Sequence, residues 1–146
     1  MSNIDTIDVE FMMVCDAAQA IGGKLYILGG AWERIVVPEL PGRPPLPFFL
    51  AIGITVPWAL ANQRFVFCID LLTEDGERLE ELVQAELEAG RPPGMRPGSV
   101  TRIPMVGPAQ PEFPTAGRYV FQAVINGEPA RHIGIDVVLS APPVPA

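Results

Sequence analysis

The chain has one histidine, His132, two cysteines, Cys15 and Cys68, and no run of Lys or Arg. Each scarcity excludes a class of activity. Zinc sites need three or four Cys, His or carboxylate ligands at set spacings, and cysteines 53 positions apart with a lone histidine offer none. A Cys–His catalytic pair would have to use Cys15 or Cys68 with His132, oriented by Asp136. His132 and Asp136 share a strand face but stand about 13 Å apart at the usual strand rise. Both cysteines lie in apolar runs, which raise a thiol pKa and leave it inert. With a net charge of −7 and no basic stripe, the main driving term for nucleic-acid binding is missing, as is attraction to anionic membrane surfaces. No apolar run approaches the ~18 residues of a membrane helix. The N-terminal MSNIDTIDVEFMMV carries acids where a secretion signal carries bases. A cytoplasmic protein without cofactor is the expectation.

Other chemical signatures are equally thin. Ile21-Gly22-Gly23-Lys24 and Leu28-Gly29-Gly30 lack the spacing and the following helix of a phosphate loop, and read as turns or a bulge. Asp70, Glu74, Asp75 and Glu77 flank one turn and offer oxygen ligands of the kind calcium takes, but read more simply as a solvated acidic hairpin tip. Nothing places two carboxylates together in an apolar cleft for glycoside hydrolysis.

What the sequence has in abundance is β pattern. At 146 residues and 49% hydrophobic content, one domain with a substantial core is expected. The 17 prolines and 14 glycines fall below the share that signals disorder, and they sit between apolar runs. Phe113–Leu139 is the most informative segment: alternating runs Tyr119–Ile125 and Ile133–Leu139 flank Asn126-Gly127, the strongest short hairpin signal. Upstream, Val9–Cys15 reads as a first strand and Gly22-Gly23 as a turn. Leu25–Val37, broken at Gly29-Gly30, reads as one bulged strand or two short ones. Pro38–Pro47, with five prolines, is a surface loop. Phe48, Leu50, Ile52, Ile54 and Val56 share one face of the next strand, opposite Phe49, Ala51, Gly53 and Thr55. After a turn at Pro57–Asn62, Phe65, Phe67, Ile69 and Leu71 alternate with Arg64, Val66, Cys68 and Asp70.

Residues 78–88 are ambiguous. Leu79, Leu82, Val83 and Leu87 fit a helix stripe, and composition favours helix. The Asp75-Gly76 turn before them favours a strand folding back on Phe65–Leu72, and strand is the reading adopted. Arg91–Gly98 is a loop, Ser99–Val106 a short strand and Gly107–Pro114 a Pro-rich crossing. Residues 1–140 thus form a single domain, and residues 141–146 a Pro-rich tail outside the core.

Seven to eight antiparallel strands with regular turn signals argue for an all-β, two-sheet sandwich, with a closed barrel as the alternative. Thr115-Ala116-Gly117-Arg118-Tyr119 is similar to the tyrosine corner of immunoglobulin-like sandwiches, though without the usual Asp and Cys. The segment Cys15–Ile35, CDAAQAIGGKLYILGGAWERI, together with the closing Pro114, Gly117 and Tyr119, resembles a family of small bacterial proteins over nearly the whole chain. The resemblance implies a soluble β-sandwich and carries no activity and no functional residue.

Trp32 and Trp58 remain as candidates for contact. Each lies near a turn, where aromatics plug a sandwich end, anchor an interface or form a ligand platform. Leu40 and Leu46 of the Pro-rich loop could line the same end. The expectation is a non-enzymatic protein acting through protein–protein contacts, by self-association as a homo-oligomer or with a protein partner. The alternative is a small-ligand or carbohydrate-binding module using Trp32 and Trp58.

Overall fold

A computed structural model of the chain describes residues 6–140. The tail at residues 141–146 lies outside them. The described chain is all β apart from one 3₁₀ turn at Trp58–Leu60. Its strands are β1 (Asp8–Ile21), β2 (Lys24–Gly30), β3 (Arg34–Val37), β4 (Phe48–Pro57), β5 (Arg64–Thr73), β6 (Arg78–Glu88), β7 (Val100–Ala109), β8 (Gly117–Ile125) and β9 (Glu128–Leu139). They form two curled sheets around one core, a four-stranded one in the order β2-β1-β4-β7 and a five-stranded one in the order β3-β9-β8-β5-β6.

The alternations read from the sequence face as expected. Leu50, Ile52, Ile54 and Val56 of β4 are wholly buried, as are Phe67, Ile69 and Leu71 of β5. They meet Phe121 and Ala123 of β8 and Ile135 and Val137 of β9 in a single cluster. An aromatic chain crosses it, with ring centroids 5.6 Å apart for Trp32–Phe48 and 5.8 Å for Phe48–Phe121. Asn126 and Gly127 both take positive φ, 49° and 81°, as a two-residue hairpin turn requires. The turn also docks on β5: Asn126 Oδ1 accepts from the Val66 N–H at 2.9 Å, and the Asn126 N–H donates to the Val66 carbonyl at 2.9 Å. Tyr119 makes the corner contact, its hydroxyl donating to the Thr115 carbonyl at 2.8 Å.

The strand number, the strand direction, two strand ends and one turn need correction. The strands number nine rather than seven to eight, and they are not all antiparallel, because β3 pairs with β9 in parallel. Of the two readings of Leu25–Val37, the two short strands are found, as β2 and β3. Gly29 and Ala31, at φ 62° and 65°, turn the chain out of one sheet and into the other. β1 runs on to Ile21, six residues past its expected end, and β7 continues through Gly107–Ala109. Pro104 and Pro108 fit there because β7 is an edge strand, where a missing N–H costs no ladder bond. Finally, Asp75-Gly76 is not a two-residue turn. The loop is Glu74–Gly76, with the Gly76 N–H on the Thr73 carbonyl at 2.9 Å and the Thr73 N–H on the Glu77 carbonyl at 2.8 Å.

Residues 78–88 are strand. Two register shifts in the β5–β6 ladder leave Leu79 and Leu82 without an opposite residue. These bulges break the period of two and produce the spacing that mimics a helix stripe.

Candidate contact surfaces

The outer faces of the two sheets differ in charge, while apolar side chains occur on both, Val36 and Val66 being exposed on the five-stranded one. On the five-stranded sheet, outward residues pair by charge: Arg64 with Glu86 and Glu88 at 3.5 and 3.8 Å, Arg78 with Asp70 and Glu81 at 3.3 and 2.8 Å, and Arg118 with Asp136 at 3.3 Å. His132 lies on this face opposite Gln122. Cys68, opposite Val124 on β5, is two strands away, about 10 Å at the usual spacing, so no Cys–His pair forms. Desolvation, then the carboxylates of Glu81 and Asp70, push the Cys68 thiol above its ordinary value. No group of three or more His, Cys, Asp or Glu side chains among the described residues is placed to hold a metal.

The outer face of the four-stranded sheet carries almost no charge. Phe11 and Met13 of β1 stand opposite Gly53 and Ala51 of β4, which stand opposite Pro104 and Val106 of β7. Phe49 continues the row beside Cys15. None of Phe11, Met13, Phe49 and Val106 packs on the core, and all are partly buried rather than exposed. The Phe11 ring lies flat over Gly53, where a Cβ would overlap it. Cys15 is wholly buried beneath this layer, and its thiol reaches the Phe49 carbonyl at 3.5 Å. Burial, then the neighbouring Asp16 carboxylate, push that thiol up as well. Arg102–Glu10 at 2.7 Å, the one ion pair of this sheet among the described residues, holds the Glu10 carboxyl below its ordinary range. Beyond Cys15, β1 pairs with β2 alone, so Asp16–Gly30 forms a two-stranded ribbon. Ile21, Tyr26, Ile27 and Leu28 are exposed on it, Leu28 at 72%.

Of the four residues singled out from the sequence, two come together. Trp32 and Leu46 line a cleft of about 480 Å³ with Asp16, Arg34, Pro44 and Pro45. The loop that carries Leu46 is pinned: Gly42 and Phe113 exchange backbone hydrogen bonds at 3.1 and 2.8 Å, and Gln110 Nε2 donates to the Pro44 carbonyl at 2.9 Å. Trp32 sets its edge on Phe48, and its indole N–H is buried with no acceptor among the described residues. Leu40 instead packs on the core. Trp58 follows the far end of β4, about 30 Å along the strand from Phe48. One face of its ring is taken by the Arg91 guanidinium, 3.8 Å from the centroid, whose Nη2 donates to the Trp58 carbonyl at 2.8 Å. The two tryptophans therefore belong to different ends of the molecule.

The apolar outer face was missed in the sequence. Its signal was the second face of β4, Phe49-Ala51-Gly53-Thr55, which lacks any charge although only one face of a strand is needed for a core.

No curated protein matches the chain in sequence. Among solved structures, the alkylpurine DNA glycosylase AlkC of Pseudomonas fluorescens, bound to DNA containing an abasic site analog, is similar at TM-score 0.46 and 16% identity. The match covers 90% of this chain but 30% of that one, so the chain spans less than a third of the glycosylase's length. A likeness at that level bears neither on fold nor on function. A family model matches residues 10–138, and the chain belongs to that family, DUF6941, a family of unknown function.

Proposed function

We propose that the protein is a non-enzymatic adaptor or assembly subunit that works by protein–protein contact through the outer face of its four-stranded sheet. One observation carries this reading: against a face crossed by ion pairs, the other sheet presents a contiguous, partly exposed apolar row of Phe11, Met13, Phe49 and Val106. Contiguous exposed apolar surface marks contact sites, whereas scattered apolar residues do not. Raised thiol pKa values and a histidine remote from both cysteines support the non-enzymatic part. The acidic balance supports a partner other than nucleic acid or membrane. The Tyr119 corner supports reading the two sheets as an immunoglobulin-like sandwich, and the family resemblance supports a bacterial setting. The test is capture of tagged protein from its native cells, quantified by mass spectrometry beside Phe49→Glu. A stoichiometric partner lost in the variant is expected. Equal recovery by both, or none by either, refutes the reading.

A second reading has its own observation, the cleft between Trp32 and Leu46. It would hold a small ligand or carbohydrate against the indole, with Asp16 and Arg34 at the rim. Trp58 is too distant to share it. Tryptophan fluorescence of the chain and of Trp32→Phe across a ligand panel decides: a response that survives in Trp32→Phe, or no response, removes this reading.

A further inference from the structure

Sheet edges attract other strands unless protected, and the two sheets have four. β6 carries Glu80, Glu81, Glu86 and Glu88. β7 carries Pro104 and Pro108. β3 has only four residues. β2 has none of these protections. It holds a single charge, Lys24, and the ribbon segment from Ala17 to Gly30 contains no acid in a chain of net charge −7. It is the edge at which two acidic copies approach without repulsion.

The backbone supplies a register. The two-residue turn Gly22-Gly23 makes Ile21 and Lys24 a hydrogen-bonded pair. Alternation then points the N–H and C=O groups of Leu25 and Ile27 away from β1. Neither residue has a backbone partner on that side among the described residues. We propose, resting on the protein-contact reading above, that a second copy of the chain pairs antiparallel with this edge. Leu25 exchanges hydrogen bonds with the partner's Ile27, and Ile27 with the partner's Leu25. Tyr26 faces the partner's Tyr26 across a two-fold axis. In this register Lys24 lies opposite the partner's Leu28, so no like charges meet. The two four-stranded sheets become one of eight strands, and exposed Tyr26, Ile27 and Leu28 leave solvent. An isologous pairing needs a self-complementary surface, and an uncharged strand meets that need.

The experiment measures mass by light scattering for the full chain and for Ile27→Pro, which removes an outward N–H but no ribbon hydrogen bond. The expected result is twice the chain mass of 15.8 kDa for the parent and the single mass for the variant, with circular dichroism confirming that the variant is folded. Tyr26→Cys in a Cys68→Ser background gives an independent readout. Its sulfurs meet at a non-hydrogen-bonded pair, about 4.5 Å between Cα atoms, and oxidation should give a covalent dimer in high yield. A parent that stays at the single mass, with Tyr26→Cys failing to cross-link, overturns the pairing. If that monomer still captures a partner that Phe49→Glu loses, the contact reading stands without the pairing; if it captures none, both fall. A dimer that survives Ile27→Pro and does not cross-link through Tyr26→Cys also overturns the pairing.

Discussion

Replacing Tyr119 by Phe removes one oxygen and little else. The ring stays 5.0 Å from Phe113, and the side chain, 3% exposed, keeps its packing. What is lost is the hydroxyl that donates to the Thr115 carbonyl at 2.8 Å and lies 3.3 Å from the Thr115 N–H and Oγ1. A buried acceptor stripped of its donor would cost about 1–3 kcal/mol, and a typical net hydrogen bond about 1 kcal/mol. Thr115 itself is exposed, so water can replace the hydroxyl on its carbonyl, and the lower figure applies. For a chain of this length the unfolding entropy makes about 1 kcal/mol worth ~3 °C in melting temperature. Urea denaturation and calorimetry of the parent, Tyr119→Phe and Thr115→Ala would measure it. Thr115→Ala keeps the carbonyl and should cost less than Tyr119→Phe. A Tyr119→Phe protein as stable as its parent would refute the corner as a source of stability. A Thr115→Ala protein that loses more would place the energy in the threonine hydroxyl instead.

Phe121→Ala, at a wholly buried position between the sheets, should lose about 3–5 kcal/mol in the same denaturation assay. Gly53→Val should cost about 1–3 kcal/mol by driving the Phe11 ring off β4. Adding Phe11→Ala should recover part of that loss, and additive losses would show that the ring does not lie over the glycine. Cys15 should resist thiol reagents in the folded protein and react on unfolding. Its raised pKa also sets a direction with pH: above about pH 8.5 the unfolded thiol ionises while the folded one stays protonated, so the unfolded state binds fewer protons and stability falls as pH rises. Denaturation midpoints at rising pH should fall less in Cys15→Ala than in the parent.

The core was legible because burial on one face of a strand writes a period of two into the sequence. The alternating residues of β4 and β5 expected to share a face are buried together. The Asn126-Gly127 turn was legible because few residues accept positive φ twice in succession. Long-range pairing leaves no such mark: nothing in Arg34–Val37 announces a parallel partner at Asp136–Leu139. The far half of β1, Asp16–Ile21, was hidden because its alanines carry weak strand preference and its partner alone holds it extended. The tryptophans share a local context, each beside a turn, and that context does not say which end of β4 each one reaches. The apolar outer face was written in Phe49-Ala51-Gly53, but a strand that is apolar on both faces reads like a better core strand until the layer beyond it proves to be missing.

The parallel ladder of β3 with β9 has a consequence for synthesis. β3 leaves the ribosome early, yet its one ladder partner among the described residues is β9, about a hundred residues later. The ribbon and the pairing of β1 with β4 can form as soon as residue 57 has emerged. Ile35 and Val37 then wait, apolar and unpaired, until residues 136–139 arrive. A nascent chain stalled before Glu128 should therefore expose β3 to proteases and chaperones, and release of the last strand should protect it in one step. Protection of Ile35 and Val37 that developed gradually while the chain lengthened would mean that another segment holds their place until β9 arrives.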